Sequence, residues 1–317
     1  MGYKELVELM KRPDKQYLLN MGAGKLSKRF KVSREDVFRA RNEVRKLISP
    51  PINAHQERLP KILVFDIETS PTIAVTFSRF KANIGLDNVI QDPIMLTFSA
   101  KWLFSPDVIY DAITPEEVRN FDDYRIVVNL WKLIDQADLV IAHYGEYFDL
   151  PFLNSRAIIH GLAPYSPVRS IDTKRVASSQ FRFPSNKLDA LGEYFKVGKK
   201  IKTDINLWMN CIRGDQEALD NMSAYNNQDV ILLEEVYLKL RPWIKSHPNL
   251  GMYMNLDETV CSCCGSTKIY EVPDRFFFTQ TTKYPVYRCF DCGGQTRGRK
   301  TILDKTVKTT LGTSIPK

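Results

Sequence analysis

The segment Ile62-Leu63-Val64-Phe65-Asp66-Ile67-Glu68-Thr69 constrains the fold of this chain more than any other, because it sets two carboxylates into a run that otherwise reads as a buried strand. Side chains two apart on a strand share a face, so Asp66 and Glu68 point the same way as Ile62 and Val64. An isolated carboxylate on such a face costs several kcal/mol or is forced neutral. Either the strand ends in solvent with two hydrated acids, or a divalent cation removes the cost.

Two further acids sit in equally demanding places. After the apolar run Leu139-Val140-Ile141-Ala142 the chain crosses His143 to Phe148 and reaches Asp149, just before Leu150-Pro151-Phe152-Leu153. Pro151 suits a first helical turn, so Asp149 reads as an N-cap or as a ligand at a strand-to-helix crossing. Tyr225, Asp229, Leu232, Leu233, Val236 and Leu240 have the spacing of one helix face, which places Asp229 among apolar neighbours and Tyr225 one turn before it. Between these points short apolar runs (62–65, 95–98, 139–142) alternate with helical patterns (121–136, 187–194, 216–240), which predicts an α/β domain around a mixed sheet over residues 61–248.

Asp66, Glu68, Asp149 and Asp229 are thus four acids from separate elements, of the kind that Mg²⁺ or Mn²⁺ gathers. Such a set suits two-metal phosphodiester hydrolysis, with a phenol near the attacking water to orient it. In order and spacing, Phe65-Asp66-Ile67-Glu68-Thr69, Phe148-Asp149-Leu150-Pro151-Phe152-Leu153 and Tyr225-x-x-x-Asp229-Val230 resemble the three exonuclease motifs of the DEDD 3′-5′ exonucleases. Tyr225 marks the tyrosine subclass, and the likeness is greatest to the proofreading domain of family B DNA polymerases and to stand-alone, phage-type relatives. Ser185 to Phe195 also resembles the helix between the second and third motifs. The resemblance implies an RNase H-like mixed sheet flanked by helices. It also implies catalysis by Asp66, Glu68, Asp149, Tyr225 and Asp229, two Mg²⁺ or Mn²⁺ ions on the four acids, and 3′-5′ polarity. One position departs from the family: His143-Tyr144-Gly145 stands where relatives carry His-Asn-Gly. The metal ligands are untouched, but the hold on the terminal nucleotide changes, and Tyr144 is either a base-stacking residue or a packing change.

Five of the six cysteines lie between Cys261 and Cys292. Cys261-x-x-Cys264-Gly265 and Cys289-x-x-Cys292-Gly293 form two knuckles that aim four thiolates at one point, so residues 255–300 are expected to form a zinc ribbon with a structural Zn²⁺. Cys263 competes with Cys261 for a ligand place, although the two-residue gap favours Cys261. The 24 residues between the knuckles hold two strands, 269–272 and 284–288, flanking a loop. Aromatic and basic residues interleave around them, including Arg275-Phe276-Phe277-Phe278, Arg297 and Arg299. That composition suits phosphates and bases. Residues 301–317 read as a basic tail.

Charge follows the same division. The chain has 45 Lys+Arg against 37 Asp+Glu, a net +8. Residues 1–60 hold 14 basic and 7 acidic side chains and residues 261–317 hold 10 and 4, whereas the 200 residues between hold 21 and 26. Residues 1–50 resemble a helix-turn-helix module, with Ser33 and Asp36 as a capping pair, a small core of Leu26, Phe30, Val32, Val37 and Ala40, and Arg34, Arg39, Arg41 and Arg45 outward toward nucleic acid. Pro50-Pro51 opens a linker over 51–60.

The whole then reads as a metal-dependent 3′-5′ exonuclease on DNA, with single-stranded 3′ ends as substrate and replication or repair proteins as partners. The chain is too short for a family B polymerase domain, so a stand-alone nuclease or a separate exonuclease subunit is expected. No apolar run suits a signal peptide or a membrane span, which points to the cytoplasm of a bacterial or phage-infected cell. Two alternatives stay open at this point: a nucleic-acid-binding module on an inactive nuclease-like scaffold, and the same chemistry on RNA.

Overall fold

The computed structural model describes residues 2–12, 18, 21, 23–48, 60–77, 80, 83–201, 203–254, 258–313 and 315. The chain divides into two compact units, Met1–Glu57 and Arg58–Lys317. Most of the expected linker, residues 51–59, lies outside the described residues.

The first unit holds three helices, α1 (Tyr3–Lys11), α2 (Ala23–Phe30) and α3 (Arg34–Ile48). Its core joins Leu6, Val7 and Met10 of α1 to Leu26 of α2 and to Val37, Ala40 and Val44 of α3. Phe30 and Val32 pack against it. Lys31, at φ 52°, turns the chain between α2 and α3. Ser33 Oγ accepts the Asp36 N–H at 3.0 Å and donates to the Asp36 carboxylate at 2.8 Å, which closes the start of α3 as its sequence suggests.

The second unit begins with β1 (Ile62–Thr69), the short antiparallel pair β2 (Ile73–Ala74) and β3 (Val89–Gln91), then β4 (Met95–Trp102) and β5 (Ile109–Ala112). There follow α4 (Pro115–Asn120), α5 (Tyr124–Gln136), β6 (Leu139–Ala142), α6 (Asp149–Ile159), β7 (Arg169–Asp172), α7 (Thr173–Gln180), α8 (Leu188–Phe195), α9 (Ile205–Cys211) and α10 (Gln216–Leu240). One sheet has the order β5-β4-β1-β6-β7. β4 is antiparallel to β1 and β5, whereas β6 runs parallel to β1 and β7. This is the mixed sheet flanked by helices that the alternating pattern predicts.

The period-two alternation of β1 decides what covers each side. Leu63, Phe65 and Ile67 join Phe98, Ile126 and Leu130 on the α5 side. Ile62 and Val64 join Ile141, Leu232, Leu233 and Val236 on the α10 side. Asp66 and Glu68 therefore continue β1 on the side where α10 crosses. One boundary differs from expectation: α5 starts at Tyr124, because Phe121 adopts a left-handed cap (φ 53°) that ends α4 and the Asp122 carboxylate accepts the Tyr124 N–H at 3.0 Å.

Past α10 the chain forms β8 (Ile269–Phe278), β9 (Lys283–Cys289) and β10 (Gln295–Arg297), paired antiparallel in the order β10-β9-β8, and a short helix α11 (Lys305–Thr309). β8 is longer than its apolar pattern suggests. It continues through Arg275-Phe276-Phe277-Phe278 after an irregularity between Glu271 and Phe276, leaving only residues 279–282 as the connecting turn.

Candidate active site

Three elements converge at the carboxyl-terminal half of β1. Carboxylate oxygens of Asp66, Glu68 and Asp229 all lie within 4.8 Å of one another. Asp149, the first residue of α6 rather than its N-cap, is 2% exposed, and its Oδ1 accepts the N–H of Ile67 at 3.2 Å, the residue between the two β1 acids. The fourth acid thus stands directly against the cluster while spending one oxygen on the strand.

The electrostatics of this cluster are unfavourable without a cation. Burial, and then the charges of Asp149, Glu68 and Asp229, push Asp66 well above the usual carboxylate range. Burial carries Glu68 up to about 8 and Asp149 up to about 7. Asp229 is raised by burial too, and its Oδ1 is buried without a hydrogen-bond partner. Hard oxygen donors, crowded, desolvated and incompletely bonded, are the donor set that a divalent cation such as Mg²⁺ or Mn²⁺ satisfies.

Two residues that the sequence patterns do not single out complete the surroundings. Lys200, from the stretch between α8 and α9, places its Nζ in an ion pair with Asp229 Oδ2 and 3.2 Å from the Tyr225 hydroxyl. Burial works against its charge, but the Asp229 carboxylate more than offsets this and raises the ammonium above its ordinary range. Asn226, beside Tyr225 on α10, donates from Nδ2 to Asp66 Oδ2 at 2.7 Å. Its own Oδ1 is buried without a partner. Tyr225 is held edge-on by Trp208 of α9, and burial pushes its phenol up to about 12.

Tyr144 lies in the crossing between β6 and α6, in left-handed backbone (φ 76°), with its N–H given to Asp172 Oδ1 at 3.0 Å. Its ring is exposed, stacks with Tyr147 at 5.3 Å and carries the Lys174 ammonium 3.8 Å above it. The neighbouring His143 is enclosed, with Nδ1 2.9 Å from Thr173 Oγ1 and Nε2 3.0 Å from the Asn186 carbonyl, and burial carries it down to about 4.

The sulfurs of Cys261, Cys264, Cys289 and Cys292 also lie within 4.8 Å of one another, and Cys263 is outside that set. Tetrahedral Zn–S bonds of about 2.3 Å imply sulfur separations of about 3.8 Å. Cys261 to Cys292 is 3.5 Å and Cys264 to Cys289 is 3.6 Å, so the four thiols fit such an ion. Gly265 and Gly293 close the two knuckles with φ of 75° and 74°, conformations that cost other residues.

Of the arginines expected to face nucleic acid, Arg34, Arg39, Arg297 and Arg299 are exposed. Arg41 is not outward: it is half-buried and its guanidinium donates to the Leu18 carbonyl at 3.3 Å, across the core of the first unit. The side chain of Arg45 lies outside the described residues.

Residues 109–241 match the RNase_H superfamily, a span that runs from β5 to the end of α10 and includes Asp149, Tyr225 and Asp229. This chain carries an RNase H-like domain. A DNA polymerase III PolC-type of Ureaplasma parvum serovar 3 is 27% identical over 152 residues, 45% of this chain and 10% of that protein. The chain therefore spans about a tenth of the length of that curated relative. The family B DNA polymerase of Pyrobaculum calidifontis superposes with a TM-score of 0.44 at 16% identity, covering 58% of this chain and 25% of the other.

Proposed function

We propose that the chain is a metal-dependent 3′-5′ exonuclease that hydrolyses phosphodiester bonds of DNA by a two-metal mechanism. The observation that carries this reading is the meeting of Asp66, Glu68 and Asp229 oxygens within 4.8 Å, with Asp149 against them, Asp149 and Asp229 lying in the span that matches the RNase_H superfamily. Asp66, Glu68, Asp149 and Asp229 would hold two Mg²⁺ or Mn²⁺ ions. Bound there, the ions supply Lewis-acid charge for the attacking water and the leaving oxygen.

The chain's own groups do the positioning. Tyr225, with a phenol pKa near 12, keeps its proton at neutral pH, so its hydroxyl can both donate to and accept from a water beside Asp229. Lys200 stays charged and brings a cation to the place where a phosphate would enter an otherwise anionic site. Asn226 fixes the rotamer of Asp66 through its 2.7 Å bond. Exposed Tyr144 and Tyr147 offer a face on which the terminal base would stack. The cysteine set would hold a structural Zn²⁺, and Arg34, Arg39, Arg297 and Arg299 would meet the phosphate backbone.

The test uses 5′-labelled single-stranded DNA, duplex DNA and RNA with Mg²⁺ or Mn²⁺, and Asp66→Ala and Asp229→Ala as controls. A ladder that shortens from the 3′ end and vanishes in both variants is expected, strongest on single-stranded DNA. Tight binding of all three nucleic acids with no metal-dependent cleavage would replace this reading with that of a binding module on an inactive scaffold.

A further inference from the structure

We propose that one face of the β10-β9-β8 sheet is a stacking track for single-stranded nucleic acid. This deepens the reading of the chain as a nucleic-acid protein and rests on that reading, although not on hydrolysis.

Directly opposed residues share a sheet face. Pairing sets Tyr270 and Gln295 opposite Arg288, Phe277 opposite Tyr284, and Arg297 opposite Val286. Alternation along β9 puts Tyr284, Val286 and Arg288 on one side, so these residues form a single face. The other side carries Pro285, Tyr287 and Thr296, which line a cavity together with Asn249, Gly251 and Val260, and Arg297 at the β10 edge reaches the same cavity. Thr296 also accepts the Ser262 N–H at 2.9 Å. That side is therefore the one turned toward the body of the unit.

The first face keeps three of its aromatic rings in solvent and Tyr284 half-buried. Tyr270 is 38% exposed, Phe277 46% and the adjoining Phe290 70%. Their arrangement is ordered rather than scattered. Tyr270 and Phe290 lie 4.6 Å apart, centroid to centroid, and the Arg297 guanidinium sits 5.1 Å from the Phe277 ring and 4.8 Å from the Tyr284 ring. Tyr284 and Arg288 are four positions apart on β9, so the two aromatic pairs stand about 14 Å apart along the strand. Arg297 opposes Val286, midway between them.

Exposed rings and guanidinium planes are what unstacked bases settle on, while arginines beside them meet phosphates. Duplex nucleic acid keeps its base faces paired and stacked internally and cannot use rings in this way. The paired residues of this face include no carboxylate, and residues 261–317 carry 10 basic side chains against 4 acidic ones, which favours a polyanion over an apolar protein surface.

The track is tested by fluorescence anisotropy of labelled oligothymidylate and of a duplex of equal length on the zinc-loaded, full-length Asp66→Ala protein, which needs no cleavage. Phe277→Ala with Tyr284→Ala is expected to weaken single-strand binding at least tenfold. Arg288→Ala with Arg297→Ala is expected to lower the slope of log affinity against log salt by about 1.4. Single-strand affinity within twofold of the parent in both pairs, or tighter binding of duplex than of single strand by the parent, would overturn the proposal. A measurement that does not depend on variants folding is photocrosslinking of bromouracil-substituted oligonucleotide to the unaltered sheet. Adducts within residues 270–297 are expected, and adducts confined to other regions would contradict it. If the nuclease reading fails instead, the Asp66-containing protein cleaves nothing while these binding results stand.

Discussion

Burial and mutual repulsion leave Asp66, Glu68 and Asp149 reluctant to carry charge unless a cation stands beside them. Lys200 is the cation that the chain itself provides, paired with Asp229 and in reach of Tyr225. It follows that Lys200 competes for Asp229 with a divalent ion while also offering charge to the substrate. Lys200→Met should therefore tighten Mn²⁺ binding yet reduce turnover, and a calorimetric titration beside a hydrolysis assay separates the two effects. Weaker Mn²⁺ binding in that variant would place Lys200 among the groups that help the metal. Tyr225→Phe keeps the ring against Trp208 and removes only the hydroxyl, so a loss of rate on the order of 10²-fold with unchanged metal affinity is expected if the phenol orients water.

Among the elements, the crossing from β6 to α6 is closely packed at Gly145. A Cβ on Gly145 would lie 2.3 Å from the Ala142 Cβ and 3.7 Å from Asp149 Oδ2. The contact with Ala142 forces a shift in the crossing that leads to Asp149. Gly145→Ala should lower the melting temperature and activity together, whereas a stable but inactive variant would point to a direct role in substrate binding.

His143, in the same crossing, gives a pH signature. Its folded pKa near 4 lies below its unfolded value, so between about 4 and 6.5 the unfolded chain binds more protons and stability rises with pH across that window. The contribution is on the order of 3 kcal/mol at most. His143→Gln should flatten this part of the stability curve, as urea unfolding at pH 4.5 and 7 would show; an unchanged slope would mean that the imidazole is not the titrating group.

Much of this arrangement is legible in the sequence because period and chemistry agree: β1 alternates with two acids in phase, and α10 puts Tyr225 and Asp229 on its buried side. Lys200 is not legible, since it comes from an aperiodic stretch whose place is set only by packing between α8 and α9. The partner of Asn226 is hidden for a related reason, because a polar residue next to Tyr225 reads as helix surface until β1 is laid against it. The length of β8 escapes the apolar pattern because its irregularity after Glu271 changes which residues face inward.

For the whole molecule, the proposed function reads the acidic centre and the basic flanks as a division of labour. Residues 61–260 hold the candidate Mg²⁺ or Mn²⁺ ligands, and the surplus of Lys and Arg lies before and after them. If the cysteines hold zinc as proposed, a chelator that spares Mg²⁺ should loosen the knuckles and weaken the proposed DNA binding while the proposed hydrolysis of short oligonucleotides persists; full activity and affinity in the zinc-free protein would remove any role for the ribbon. Whether Asp66, Glu68, Asp149 and Asp229 together hold divalent cations is read out by Mn²⁺ binding followed by electron paramagnetic resonance. Two Mn²⁺ per chain are predicted, with loss of binding in Asp66→Ala and Asp229→Ala. Stoichiometric Mn²⁺ binding that survives both substitutions, or no binding in the parent protein, would rule out these four acids as a cation site.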